Sequence, residues 1–258
     1  MFEYLTLRIK NVPKNPESVF EPFTNDMTRL LGDDLLGVAV YGSAASGDYI
    51  YGHSNINMVL LLKAVTVGQL KNISLPMERW MTRGFAAPVI FTPTDLERSL
   101  DVFPILFTEI RDNHRMLYGP DPFMEIKIDP SLLRLQVEQM LKAGVAEART
   151  EFLASGESLK TFESMISRSF NNLFPLLRGL LKLKGVTPSV RKEVVVAMTE
   201  EKFQLEPGVL TDALRHKMGI VRLSEKHNLV AYFERYLSGV EKLAEIADSL
   251  VQAVPVNP

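Results

Sequence analysis

Cysteine is absent from the 258-residue chain. Its absence excludes disulfides, thiolate metal sites and cysteine nucleophiles, and it fits a reducing compartment. The sequence also lacks any apolar run near the ~20 residues that a membrane-spanning helix requires. The first ten residues contain an early acid, Glu3, and no long apolar core, which is not the pattern of a signal peptide. We therefore expect a cytoplasmic protein with no membrane partner.

The chain also lacks an excess of positive or of negative residues. The 29 Lys and Arg residues stand against 31 Asp and Glu residues, giving a formal net charge of -2 and a pI of about 6.1. This balance provides no global basic field, so the composition does not indicate a nucleic-acid partner. Basic residues do gather around the turn at 185–188: Lys182, Lys184, Arg191 and Lys192. That basic group either contacts phosphates or is a solvated helix end.

Histidine is scarce, and the four residues His53, His114, His216 and His227 show no spacing typical of a metal site. A surface or capping role is the default for each of them. Only His53 lies beside the segment described next, where it is a candidate for ligand contact. No serine stands in a Gly-x-Ser-x-Gly setting, so the sequence does not indicate a hydrolase of that type.

What the sequence does contain is a strand, a glycine turn and a second strand. The apolar run Leu35–Tyr41 stops at Gly42-Ser43, and a second apolar run, Ile56–Leu62, is entered through Ser54-Asn55-Ile56-Asn57. A glycine at such a turn lets anionic oxygens approach the exposed backbone N–H groups. The segment therefore predicts a phosphate-facing turn between two buried strands.

This segment resembles the DNA polymerase β-type nucleotidyltransferases, whose signature is Gly-Ser followed on the next strand by Asp-x-Asp. Gly42-Ser43 stands at the Gly-Ser position, Gly47 fits the small residue of the turn, and Ser54-Asn55-Ile56-Asn57 stands where such enzymes carry Ser-Asp-Ile-Asp. The resemblance implies a nucleotide triphosphate donor, magnesium, and an acceptor between two domains. It assigns nucleotide binding to Gly42, Ser43, Ser54, Asn55 and Asn57.

The departure from the family pattern lies at the metal ligands, because Asn55 and Asn57 replace both aspartates. Asparagine keeps the shape of aspartate and loses its charge, and a neutral amide is a poor magnesium ligand. Each close ion pair is worth ~4 kcal/mol at an effective dielectric near 20, so two amides remove most of the attraction that holds the ion. We expect vestigial metal positions, no resident cofactor, and magnesium only if the protein is active.

A third carboxylate comes from a later strand in active members of the family, and the predicted strand at 87–92 holds no acid. Glu109 is the acid of the next apolar segment, Phe103–Arg111, which reads as a strand or a short helix. Glu109 either reaches the site as a substitute ligand or is an exposed surface acid. Asp48 is a further candidate.

The pattern along the chain predicts an α/β (α+β) nucleotidyltransferase-fold domain over residues 1–125 and a helical bundle domain over 126–258, as in bacterial nucleotidyltransferase-like proteins. In the first part we expect a helix from Pro16 to Leu31, a Pro76-kinked helix at 66–83 and a capping box at Thr94–Glu97. A turn cluster at 117–122 ends that domain. The expected helices of the second are Leu132–Leu153, Ser158–Lys184, Ser189–Glu201, Leu210–Met218 and Leu229–Val251.

One short pattern in the second domain has a functional reading of its own. Arg222 and His227 have the Arg-x4-His spacing of the helical HEPN ribonuclease-like domains, which often accompany minimal nucleotidyltransferases. The alternative is a solvated, charge-rich helix start.

Two functions from different classes follow. The first is a catalytically degenerate protein that binds a nucleotide or a protein partner, including a second copy of itself, and acts by occupancy. The second is a working magnesium-dependent transferase in which Glu109, Asp48 or another acid replaces the lost ligands. The sequence favours the first, because two losses at one site are improbable if metal chemistry is still required.

Overall fold

The computed structural model describes residues 12–52, 54–155 and 159–250. The chain divides into two compact units between Lys127 and Ile128. The first is built on a mixed four-stranded sheet with strand order β3-β2-β1-β4, and the second is helical. The predicted fold class, an α/β part followed by helices, is confirmed.

The first unit begins with a helix that covers the sheet. A 3-10 turn, Pro16–Val19, is capped by the Asn15 side chain and leads into α1, Phe20–Leu31. Its buried residues recur at helical spacing and face the core: Phe20, Phe23, Thr24, Met27 and Leu31. Gly32, at φ 52°, ends the helix, and the chain enters β1, Leu35–Tyr41.

The central strand β1 pairs on both sides. It runs antiparallel to β2, Asn57–Leu62, and antiparallel to β4, His114–Tyr118. Strand β2 also pairs in parallel with β3, Val89–Phe91. All of β1 except Leu36 is buried, which explains its nearly continuous apolar sequence.

Helices fill the intervals between the strands. These are α2, Ser43–Ser46, α3, Val67–Met81, α4, Pro93–Ser99, and α5, Pro104–Asp112. Helix α3 starts at a capping box formed by Thr66 and Gln69 and packs against α1. Its Trp80 contacts Phe23 at 5.5 Å and Phe85 at 5.1 Å between ring centroids, while Phe23 and Phe85 stack at 4.9 Å.

Three local predictions in this unit need correction or completion. The capping box of α4 joins Thr92 and Asp95, two residues before the predicted Thr94–Glu97 box, because Pro93 fits the first helical position. The segment at 103–111, left open between strand and helix, is the helix α5. Strand β4 was not predicted at all, since its five residues form no continuous apolar run and none is fully buried at this edge of the sheet.

The second unit contains long helices near the predicted positions. They are α6, Pro130–Ser155, α7, Leu159–Leu183, α8, Lys192–Lys202, α9, Val209–Lys217, α10, Leu223–Lys226, and α11, Leu229–Ser249. Helix α6 packs against both α7 and α11, and α7, α8 and α9 pack against one another. Within the described ranges, none of the helices combines the length and the apolarity needed to cross a bilayer.

Candidate functional site

Gly42 ends β1 in a conformation that favours glycine. Its φ is 72° and its ψ is −147°, and its N–H donates to the Asn113 carbonyl at 2.8 Å. Its own carbonyl accepts from the N–H groups of Ala45 and Ser46, both at 3.0 Å, which forms the single turn α2. A Cβ at this position would lie 3.3 Å from Asn57 Nδ2. The glycine of the turn and the side chain of Asn57 are therefore neighbours.

Ser43 is the first residue of α2 and is half-buried. Its hydroxyl forms no hydrogen bond with another residue in the described part of the chain. Gly47 closes the turn in the left-handed region at φ 83°. The hydroxyl of Ser43 is thus available to a ligand that approaches Gly42.

Asn57 is the first residue of β2, and Asn55 stands two positions before it, outside the strand. Ile56 between them is fully buried and forms a parallel bridge to Phe85. Asn55 is exposed and Asn57 is half-buried. Both residues that flank Ile56 are thus more exposed than Ile56 itself.

Ser54 has a structural contact. It is 8% exposed, and its Oγ accepts from the Ile50 N–H at 3.0 Å. Its own N–H donates to the Ile50 carbonyl at 2.9 Å. These paired bonds close the loop that precedes β2. His53, the neighbouring candidate, lies outside the described residues.

The acids proposed as substitutes occupy two different elements. Asp48 is half-buried in the loop after Gly47. Glu109 is half-buried on α5, one turn before Asn113, whose carbonyl accepts the Gly42 N–H. Strand β3, which pairs with β2, carries Val89, Ile90 and Phe91 and no acid.

The donor set at this site does not fit magnesium. Hard cations require several oxygen ligands with negative charge among them, and the two central positions offer neutral amides. Across the described ranges, no group of three or more His, Asp or Glu side chains is arranged to hold a metal ion.

Asn113 also contacts the Gly42 turn, although no feature of its sequence segment pointed to it. It is 5% exposed, and its backbone carbonyl fixes Gly42. The amide Nδ2 of Asn113 is buried with no hydrogen-bond partner among the described residues. Asn113 bonds Gly42 through its main-chain carbonyl, which every residue type has, so the sequence carries no sign of this contact.

The side chain of His114, the next residue, is 3% exposed and holds the segment after β4. Its Nε2 lies 2.9 Å from Asp121 Oδ2, and its ring meets the Phe123 ring edge-on at 5.3 Å. Burial acts to raise the pKa of Asp121, but hydrogen bonds from the Phe123 N–H and from His114 hold that pKa below its usual value. His114 thus acts as a structural residue.

The Arg-x4-His pair of the second unit has separate partners. The Arg222 side chain is 75% exposed and lies 4.0 Å from Glu225. His227 lies 2.8 Å from Asp212 Oδ2 through Nε2 and 3.3 Å from Arg235 through Nδ1. These contacts support the reading of a charge-rich helix start.

Comparison with known proteins defines the fold class. No protein-family model matches the chain, and no curated protein matches it. Among solved structures, the chain is similar in fold to an adenyltransferase. At the identity given below, that likeness shows the shared fold alone.

Two solved structures illustrate this likeness. Spectinomycin adenyltransferase AAD(9) from Enterococcus faecialis, solved with ATP and spectinomycin, matches 87% of this chain and 99% of its own, with a TM-score of 0.57 and 10% identity. A nucleotidyltransferase-like protein from Exiguobacterium sibiricum matches 90% of this chain and 74% of its own, with a TM-score of 0.35 and 10% identity. The second likeness is too weak to carry an argument.

Proposed function

We propose that this chain is a nucleotidyltransferase-fold protein that binds a nucleotide at Gly42-Ser43 without transferring its nucleotidyl group. It acts by occupancy, either through the nucleotide or through a protein partner that recognises the bound state. The observation that carries the proposal is the neutral Asn57 amide beside Gly42, within 3.3 Å of the position a Cβ would take. The Gly42-Ser43 turn is present, while the adjacent Asn57, which stands where the family has a metal-binding aspartate, has no charge.

Binding and transfer depend on different groups, which is why one can persist without the other. The Gly42 backbone and the Ser43 hydroxyl need no carboxylate to face a phosphate, and the amides of Asn55 and Asn57 are themselves hydrogen-bond donors. AAD(9), which shares the fold, was solved with ATP. That precedent supports a nucleoside triphosphate as the ligand class here.

Transfer requires charge that the described site lacks. In phosphoryl-type chemistry, metal ions neutralise the charge that develops on the phosphates, and carboxylates hold those ions. Asn55 and Asn57 supply none, and β3 adds no acid. We therefore expect binding without turnover.

The first test measures ATP binding by calorimetry for wild type, Ser43→Ala and Gly42→Ala, with Gly32→Ala as the matched control. Gly32 has a positive φ of 52° like Gly42, but a Cβ there meets nothing within 4 Å. Loss of a hydrogen bond to a charged group costs roughly 1.5–3 kcal/mol, so Ser43→Ala should weaken ATP at least about tenfold. Equal ATP affinity in wild type, Ser43→Ala and Gly42→Ala would place the nucleotide elsewhere.

The second test measures pyrophosphate release from ATP with magnesium. The active alternative requires a substitute acid near the turn. Glu109 is favoured for that role because Asn113, one helical turn after it, accepts the Gly42 N–H. Release that is abolished by Glu109→Gln or Asp48→Asn would establish the transferase and refute the degenerate reading. We expect no release above background.

A further inference from the structure

An apolar cleft of about 570 Å³ lies within the first unit. It is formed by the start of β1, the end of β2, helix α4 and the segment that follows β4. Apolar side chains from all four line it: Leu36, Leu61, Leu96, Leu100, Pro122 and Ile126. Ligand sites are mostly apolar cavities of about 300–1,000 Å³, so the cleft has the size and the lining of a site for a small organic molecule.

The main chain holds one wall of the cleft in place. The pairing of β1 with β2 shifts register between Leu35 and Gly37, so Leu36 is an extra residue in β1. A bulge of this kind re-aims a side chain, and Leu36 is half-buried although Leu35 and Gly37 are buried. Gly119 lets the segment after β4 approach this point, since a Cβ there would collide with the Leu36 carbonyl oxygen. The cleft is therefore bounded by paired strands and by a close backbone contact.

Negative charge prevails at the cleft. Its lining contains three carboxylates, those of Glu97, Asp121 and Glu125, and one ammonium group, that of Lys127. Asp121 already has a partner, because its Oδ2 lies 2.9 Å from His114 Nε2. Glu97 and Glu125 are exposed, and over the described ranges neither forms a hydrogen bond or an ion pair, with Lys127 or with another residue. Two carboxylates are therefore free to meet a cationic ligand.

We propose that this cleft binds a small amphipathic cation, an organic molecule with an apolar body and a protonated amine. The apolar walls remove the body from water, which is favourable in proportion to the area covered. Glu97 and Glu125 attract the ammonium group, and they repel an acid of the same shape. An oligoamine without an apolar body would leave the walls in contact with water.

This site is remote from the Gly42 turn and does not depend on nucleotide binding there. Leu36 is the second residue of β1, and Gly42 follows the last. About six residues of extended strand span roughly 20 Å. Ser43→Ala, which should weaken ATP, should therefore leave the Kd of a ligand in the cleft unchanged. A Kd that rises in Ser43→Ala would place that ligand at the turn and overturn the proposal.

The experiment titrates the full-length protein with three probes that share one apolar body: naphthylmethylamine, naphthylmethanol and naphthoate. Methyl NMR of protein labelled at leucine and isoleucine measures the Kd of each probe and locates it. We expect the amine to shift the methyl resonances of Leu36, Leu96 and Leu100. The amine should bind about fivefold more tightly than the alcohol, and naphthoate should bind most weakly, because only the ammonium group complements the carboxylates.

Two variants test the charge without changing the shape of the cleft. They are Glu97→Gln and Glu125→Gln, both at exposed positions where the substitution leaves the core untouched. The matched control is Glu78→Gln, which removes the same charge from an exposed position of α3 outside the cleft. The Kd of the amine should rise about two- to fivefold in each cleft variant and stay unchanged in the control. The Kd of the alcohol should be the same in all four proteins.

Three results would overturn the proposal. Equal Kd values for the amine and the alcohol, or an amine Kd that neither cleft variant changes, would show that the carboxylates select nothing. Shifts confined to methyl groups outside the cleft, or no binding of any probe, would show that the cleft is not the site. Shifts of the cleft methyl groups on raising the protein concentration without a probe would assign the cleft to a second copy of the chain.

Discussion

The two units place polar side chains in contrasting ways. Beside Gly42, the residues on either side of buried Ile56 are neutral amides, Asn55 and Asn57. In the helical unit, Asp212 is 5% exposed and lies 2.6 Å from Lys226 Nζ and 2.8 Å from His227 Nε2. The helical unit keeps a carboxylate in its interior where Lys226 and His227 bond it. Beside Gly42 the two residues are amides, which need no counter-ion.

The Asp212 cluster shows the balance between burial and charge. Burial acts to raise the pKa of Asp212, but hydrogen bonds from Lys226 and His227 hold it below its usual value. A carboxyl group with a lowered pKa adds stability above its ordinary pKa of 3.8, and that stability is lost as pH falls through the lowered value. The helical unit should therefore be sensitive to acid.

The largest effect should come from Asp212→Ala. This change leaves Lys226 and His227 without their buried carboxylate, and breaking a buried pair costs about 3–5 kcal/mol. Urea unfolding measures the loss. The control is Glu201→Ala, whose exposed pair with Lys202 should contribute less than about 1 kcal/mol. Similar losses for the two variants would show that Asp212 is not the centre of a buried cluster.

A smaller effect of opposite sign is expected for Lys217→Met. The pKa of Lys217 falls from 10.5 to about 8 in the folded protein, so burying the charge lowers stability at neutral pH by on the order of 3 kcal/mol. The unfolded chain binds more protons between these pKa values, and wild-type stability therefore rises as pH increases from about 8 to 10.5. From about pH 8 to 10.5, the melting temperature should rise less steeply for Lys217→Met than for wild type. At pH 7, the melting temperature of Lys217→Met should be the higher of the two.

The double change Asn55→Asp with Asn57→Asp turns the neutral site into a charged one. Two carboxylates two residues apart repel each other by roughly 1 kcal/mol at a half-exposed site, so the melting temperature should fall without a divalent ion. Magnesium should recover the loss by binding the folded state preferentially. The measurement is the magnesium-dependent shift in melting temperature for both proteins. If magnesium shifts the melting temperature of the double variant no more than that of wild type, Asn55 and Asn57 do not lie at a vestigial metal site.

The smallest effect should belong to Arg222→Ala. Its side chain is 75% exposed with a 4.0 Å contact to Glu225, so its loss should change the free energy of unfolding by less than about 0.5 kcal/mol. The HEPN reading makes a different prediction, namely an RNA cleavage activity that Arg222→Ala abolishes. Detection of such cleavage would restore that reading.

The sequence predicted the strands and helices whose apolar residues recur at a regular spacing. The continuous apolar run of β1 and the helical spacing of apolar residues in α11 identify those elements at nearly their observed bounds. The close approach of Asn57 to Gly42 also agrees with the motif order along the chain. Local spacing was sufficient for β1 and α11 because each is encoded by neighbouring residues.

The rest depends on contacts between residues far apart in the chain. Strand β4 is short and half-exposed, and it forms because β1 offers an unpaired edge. Asn113 reaches Gly42 through its main chain, which carries no side-chain signal. The half-buried position of Lys217 arises from the packing of α9 against α7 and α8, and no spacing within α9 encodes it.

The pairing of Tyr41 has a consequence for the kinetics and affinity of any ligand at the turn. Tyr41 is opposite Asn57 on one side and His114 on the other, and the Gly42 N–H after it is bonded to Asn113. The glycine is thus fixed by two separate stretches of chain, β2 and residues 113–114, before a ligand arrives. Little conformational entropy remains to be lost on binding, so the turn is preorganised and association needs no slow rearrangement there.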